Sequence, residues 1–167
     1  MSPSSDQGVS RERYTVIPRT AIFLCRDDSY LLLKGAPTKR LFANLYNGLG
    51  GHVERGEDVL AAAKRELFEE AGLRAELRLC GTLIVDTGQA PGICLYIFTG
   101  QGGEEQARGS AEGRPEWIPF ARLAELPVVE DLVPLLTRIR AMRAGDPPFS
   151  GRSFYDAQGR LCLVFGE

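Results

Sequence analysis

The sequence predicts a single α/β domain in which helices cover both faces of a mixed, partly antiparallel sheet. Three observations lead there. Its 167 residues suit one compact unit with a core of its own. Short strand-like runs come in pairs separated by turn residues. The two segments with helical character, near residues 58–71 and 131–142, are far apart in the chain, with strands before, between and after them. Hydrophobic residues make up 44% and charged residues 25%, which excludes the disordered and fibrous classes.

Taken in order, residues 1–13 are expected to be flexible, residues 14–148 to form the main domain, and residues 149–167 to add a hairpin packed on it. Two apolar runs, Thr15 to Cys25 and Tyr30 to Leu33, flank the turn-forming Arg26-Asp27-Asp28-Ser29 and read as a hairpin. Ala36 to Tyr46 lacks periodicity and reads as a loop. The stretch Asn47 to Glu57 holds Gly48, Gly50, Gly51 and Gly56, which let backbone lie close to whatever it binds or packs on. Asp58 to Ala71 reads as a helix, with Asp58 to cap it and Gly72 to end it. Its apolar stripe is expected at Leu60, Ala63, Leu67 and Ala71, with Lys64 at the edge and Leu73 closing over it. Strands are expected at Leu77 to Val85, Ile93 to Thr99 and Pro115 to Pro119. A helical turn over Phe120 to Leu126 and a helix over Asp131 to Met142 follow, with Pro134 in the first turn of that helix. The final hairpin spans Phe149 to Phe165, with Gly159 suited to a left-handed turn position.

The formal charge of −2, from 20 Lys+Arg and 22 Asp+Glu, argues against a protein that coats long nucleic acid, and no stable DNA binding is expected. A small anion needs only a local cluster of cations. Cys25, Cys80, Cys94 and Cys162 form no Cys-x-x-Cys pair and read as free thiols. The first residues lack an apolar signal region, and no run nears the roughly 18 to 20 apolar residues of a membrane span. A cytoplasmic protein without a membrane partner is expected.

The chemistry lies in the helix. Glu66, Glu69 and Glu70 stand at i, i+3 and i+4 and so crowd one face. Three like charges repel unless something positive sits against them, and a hard divalent ion that takes carboxylate oxygens is the natural candidate. Taken alone, such a cluster is more often a solvated acidic face. Its surroundings change the balance. A glycine-rich turn entering a helix N-terminus offers N–H groups and a positive dipole end to phosphate, and Arg65 is placed to pair with Glu57 and hold loop against helix. No Gly-Lys-Ser/Thr follows, so this is not a Walker A loop.

Gly51, Glu57 and the run Arg65-Glu66-Leu67-Phe68-Glu69-Glu70-Ala71-Gly72-Leu73 resemble the signature box of the Nudix hydrolases at every defining position. By average residue frequencies such a match arises by chance on the order of once in 10⁷ chains. The resemblance implies a Nudix-like α/β/α sandwich and hydrolysis of a nucleoside diphosphate linked to another group. It implies Mg²⁺, or Mn²⁺ in its place, on Glu66, Glu69 and Glu70, with the Gly51 carbonyl as a further ligand. Glu57 would orient Arg65. The run Ala111-Glu112-Gly113 to Trp117 resembles a segment of the MutT-type members whose glutamate reaches the metal, making Glu112 a further candidate.

Tyr46-Asn47-Gly48-Leu49-Gly50-Gly51 and the pair Glu130-Asp131 resemble segments of the family's oxidised-purine triphosphatases. This makes Tyr46, Asn47, Glu130 and Asp131 candidates for reading a base, since an amide donates and accepts and a carboxylate accepts from ring N–H and amino groups. Asn47 reads equally as a turn residue, and Glu130-Asp131 as a helix cap. Lys34, ahead of Lys39 and Arg40, and the sole histidine, His52, are candidates for phosphate. The expected substrate is a nucleoside 5′-triphosphate such as 8-oxo-dGTP, as in sanitation of the nucleotide pool, hydrolysed by a monomer or homodimer. The alternatives are another diphosphate (a nucleotide sugar, a dinucleoside polyphosphate or an RNA cap) or a nucleotide-sensing domain without turnover.

Overall fold

The computed structural model describes Gly8 and residues 12–166. Of the N-terminal segment expected to be flexible, residues 1–7 and 9–11 lie outside the described residues, as does Glu167 at the end of the tail.

The first hairpin is present as β1 (Val16–Arg26) and β2 (Ser29–Gly35). Asp27 adopts φ 53° at its turn, a left-handed position that a short polar side chain tolerates. The two strands pair only at Cys25–Tyr30 and Arg26–Ser29. Beyond that they splay, and the segment 46–53 fills the wedge: β3 (Tyr46–Asn47) pairs with Lys34 and Leu33, while single bridges join Leu49 to Ile22 and His52 to Arg19. The splay carries the glycine-rich turn into the middle of the molecule.

β1 runs parallel to β5 (Gly92–Gln101) from Val16 to Cys25, and β5 is antiparallel to β4 (Arg78–Val85). β6 (Gly113–Pro119) pairs with β2 along its whole length. At the other end β4 takes β7 (Phe149–Tyr155) in parallel, and β7 takes β8 (Leu161–Phe165) antiparallel. The result is one mixed sheet with the path β3-β2-β1-β5-β4-β7-β8 and β6 joined to β2.

Helices cover both faces, as expected. Along β1 the side chains alternate: Ile22 and Leu24 join a cluster with Leu67 and Ala71 of α1 (Val59–Ala71), and Ala21 and Phe23 join one with Leu132, Leu135 and Leu136 of α2 (Leu132–Arg140). Each fully buried leucine contributes about 1.5–3 kcal/mol. Asp58 caps α1 by accepting from the amides of Leu60 and Ala61, and Gly72 ends it at φ 68° with its N–H on the Phe68 carbonyl. The buried stripe differs from expectation at one position. Leu60 is exposed, and Ala62 is buried beside Ala63, Leu67 and Ala71, because the helix rolls toward the glycine turn and carries Glu70 inward. No helix among the described residues is long and apolar enough to cross a membrane.

Candidate active site

The glycine turn and α1 fit together at van der Waals limits. Gly50 has φ 131°, and a Cβ there would strike the Thr20 carbonyl. A Cβ on Gly51 would stand 2.5–2.9 Å from the Glu66 carboxylate atoms. The Gly50 N–H donates to Glu70 Oε2 at 2.7 Å, and the Gly51 carbonyl accepts from the Thr20 N–H at 2.8 Å. Only glycines allow backbone and carboxylates this close an approach.

Arg65 ties the loop to the helix. Its Nε and Nη2 donate to the two oxygens of Glu57 at 2.7 and 3.0 Å, a bidentate fork, and Nη2 also donates to the His52 carbonyl at 3.0 Å. The arginine and the Glu54 N–H hold the Glu57 carboxyl down to about 2. Arg65 and Glu66 are adjacent on the helix, so their side chains leave the backbone in different directions. The guanidinium instead reaches back, with Nη1 donating to Glu66 Oε1 at 2.8 Å and Glu69 Oε2 at 3.1 Å.

The three glutamates expected on one polar face are thus differently held. Glu66 and Glu69 meet Arg65, Glu69 being exposed, whereas Glu70 is only 4% exposed and rests on Gly50. Burial pushes the Glu70 carboxyl up to about 7 against the pull of the Gly50 N–H, and the Glu66 charge adds to the rise. Among the described residues no group of three His, Cys, Asp or Glu side chains forms a ready-made metal cage.

Two cavities adjoin here. The larger, about 840 Å³, is lined by Gly50, Gly51, His52, Arg65, Glu66, Glu69, Glu70 and Glu112, with Arg19, Lys39, Arg40 and Phe42. The smaller, about 190 Å³, is mainly apolar, walled by Phe23, Val85, Ile93, Leu95, Leu132 and Leu135, with Asn47 and Asp131 as polar groups. Arg19, Lys39, Phe42, Gly50 and Glu70 line both.

The structure therefore brings Gly51, His52, Arg65, Glu66, Glu69, Glu70 and Glu112 to one compartment and Asn47 and Asp131 to the other. The Asn47 Oδ1 accepts from the Gly48 N–H at 2.7 Å. Asp131 makes no capping bond to α2, and burial pushes its carboxyl up, with the Glu130 charge adding to the effect. Glu112 pairs with Lys39 at 2.8 Å. Four candidates line neither cavity: Glu57, held on Arg65, and three more. Tyr46 is buried in the core with its hydroxyl donating to Glu116 at 2.8 Å. Lys34, its ammonium 5.5 Å from the Tyr46 ring centre, opens on a separate cleft, because it points to the opposite face from its neighbour Leu33. Glu130 is exposed and accepts from the Tyr155 hydroxyl at 3.1 Å.

Sequence reasoning missed Arg19, Thr20, Phe42 and the apolar wall. The one available signal was Arg19 itself, a charge set in strand alternation with Ala21 and Phe23 in an otherwise apolar run.

The model of the NUDIX domain matches residues 16–139. The oxidized purine nucleoside triphosphate hydrolases of Danio rerio and Mus musculus are 33% and 34% identical to this chain over 99 residues, 55% of this chain. The match spans 64% of the length of either relative. Among solved structures, a MutT protein of Bacillus halodurans superposes with a TM-score of 0.73 at 23% identity, covering 90% of this chain and 97% of that one. The MutT protein of Methanosarcina mazei gives 0.66 at 18%, covering 80% and 100%. At such identities these two speak to the fold alone. With the family's domain matched from the first strand to the last helix, and its signature residues on the glycine turn and α1, the chain belongs to the NUDIX family.

Proposed function

We propose that the chain is a Mg²⁺-dependent pyrophosphohydrolase of nucleoside 5′-triphosphates, ribo or deoxy, with an ordinary or 8-oxo purine, releasing the nucleoside monophosphate and pyrophosphate. The observation that carries this reading is the shared wall: a mainly apolar compartment holding Asn47 and Asp131 opens, past Arg19, Lys39, Gly50 and Glu70, onto a carboxylate-lined compartment. A flat base and a polyphosphate on one ligand need two such spaces side by side. The similarity to the oxidized purine nucleoside triphosphate hydrolases supports the same reading.

The donor set suits a hard ion. Glu66, Glu69, Glu70 and Glu112 offer only oxygen, and Gly51 leaves room that a Cβ would fill against Glu66. In this proposal Glu66, Glu69 and Glu70 hold Mg²⁺ with Gly51 and Glu112 beside them. When bound, the ion supplies Lewis acidity toward phosphate oxygens and lowers the pKa of water. Glu57 fixes Arg65, and Arg65 fixes the orientation of Glu66 and Glu69. A carboxylate of the set accepts the proton of the attacking water. Asn47 and Asp131 read the base edge. Asp131, whose carboxyl is pushed up by burial, offers its oxygens to the ring N–H and amino groups of a purine.

Incubating the protein with a panel of ribo- and deoxynucleoside triphosphates and diphosphate conjugates, with and without Mg²⁺, tests the proposal. Pyrophosphate release from purine triphosphates only when Mg²⁺ is present is the expected result. Faster turnover of a nucleotide sugar or dinucleoside polyphosphate moves the chain to another substrate class, and no turnover of any compound sinks the enzyme reading.

A further inference from the structure

We infer that Arg19 forms a subsite for the 5′-phosphate of a nucleotide, the phosphate next to the sugar. The inference rests on the nucleotide reading above and adds to it a binding group outside the signature stretch.

Arg19 lies on β1 between two fixed neighbours, in register with Leu95 of β5 on one side and bridged to His52 on the other. Strand alternation places its side chain on the face of Ala21 and Phe23, both of which line the apolar compartment. Arg19 also lines the carboxylate compartment, so it stands where the two meet. It is half-buried.

The other cations of the cleft are engaged or remote. Arg65 is saturated by Glu57, Glu66, Glu69 and the His52 carbonyl. Lys39 is paired with Glu112, and Arg40 is exposed and lines the outer compartment only. The Arg19 guanidinium makes no hydrogen bond or ion pair with any described residue. A half-buried arginine set against apolar walls lacks an anion to compensate its desolvation, and a planar fork of donors suits phosphate oxygens. On a nucleotide whose base fills one compartment and whose outer phosphates enter the other, the group at the junction is the 5′-phosphate. That group stays with the nucleoside after hydrolysis, so Arg19 holds product as well as substrate.

Calorimetric binding of GMP, AMP and their 8-oxo forms, each against its own nucleoside and without metal, separates this from the function it rests on. Arg19→Ala is expected to weaken monophosphate binding about 10- to 100-fold while leaving nucleoside binding within about twofold. Arg19→Lys, which keeps the charge and loses the fork, should fall between, and it serves as the test if the alanine variant does not fold. In turnover the variants raise KM more than they lower kcat. Unchanged monophosphate binding, or equal losses for monophosphate and nucleoside, overturns the subsite while the nucleotide reading stands. A wild-type protein that binds no nucleotide and no nucleoside overturns both.

Discussion

The carboxylate compartment takes Gly50, Gly51, His52, Arg65, Glu66, Glu69 and Glu70 from one stretch of chain, whereas the apolar compartment gathers Phe23, Asn47, Val85, Leu95, Asp131 and Leu135 from β1, β3, β4, β5 and the entry to α2. The first is local chemistry on a helix and its leading turn. The second exists only once the sheet has closed and α2 has packed on it. Substitutions should therefore act differently in the two: in the first they strike the chemical step, in the second the choice of base.

The largest effect is expected at the carboxylates. Glu69→Gln or Glu70→Gln should lower kcat by more than the roughly 100-fold typical of groups that only support metal ligands, with far-UV circular dichroism unchanged. Near-wild-type kcat in both variants would remove the metal from this helix. Glu57→Gln, which weakens the fork on Arg65, should cost about 10- to 100-fold in kcat. If it instead altered base preference and spared kcat, the division between compartments would fail.

In the apolar compartment, Asn47→Ala and Asp131→Asn should reduce discrimination between purines by about tenfold or more, with a smaller change in kcat for the best substrate. Unchanged selectivity in both would take the base elsewhere.

How much could be read from sequence follows the same division. The helix bounds, the Asp58 cap and the Gly72 stop were legible because capping is set by neighbours in the chain, and the Glu57–Arg65 pair, eight residues apart, because the short loop before α1 leaves Glu57 within reach of the helix. Leu60 was misplaced because the roll of α1 is decided by its fit against Gly50 and Gly51, which periodicity does not encode. Tyr46 is a candidate through the run it shares with Asn47, and Lys34 as a cation in the segment entering the glycine turn, yet the register of β3 on β2 turns Asn47 to the cleft and Tyr46 into the core. Glu130 and Asp131 are adjacent in sequence and differ in fate for a similar reason: one meets Tyr155 at the surface, the other is half-buried at the cavity. The apolar wall had no local signal at all, since its residues look like any core.

Two smaller effects concern stability. The folded-state pKa of Glu70, about 7, lies above its ordinary value of 4.5. Its contribution is therefore fully present below about pH 4.5 and is lost as pH rises through 7. Metal-free wild type should lose up to about 3 kcal/mol relative to Glu70→Gln between those limits, read from denaturant midpoints at each pH. A constant difference would mean that Glu70 is not buried as described. Tyr155→Phe, which removes only the exposed bond to Glu130, should cost no more than about 1 kcal/mol. A larger loss would show that the terminal hairpin braces the acidic loop more firmly than that bond suggests.

The claim that one ligand spans both compartments, base in one and phosphates in the other, is tested most directly by identifying the products from a purine nucleoside triphosphate and Mg²⁺ by ³¹P NMR. Nucleoside monophosphate and pyrophosphate in equal amounts are predicted. Nucleoside diphosphate with inorganic phosphate, or an unchanged triphosphate, would contradict it.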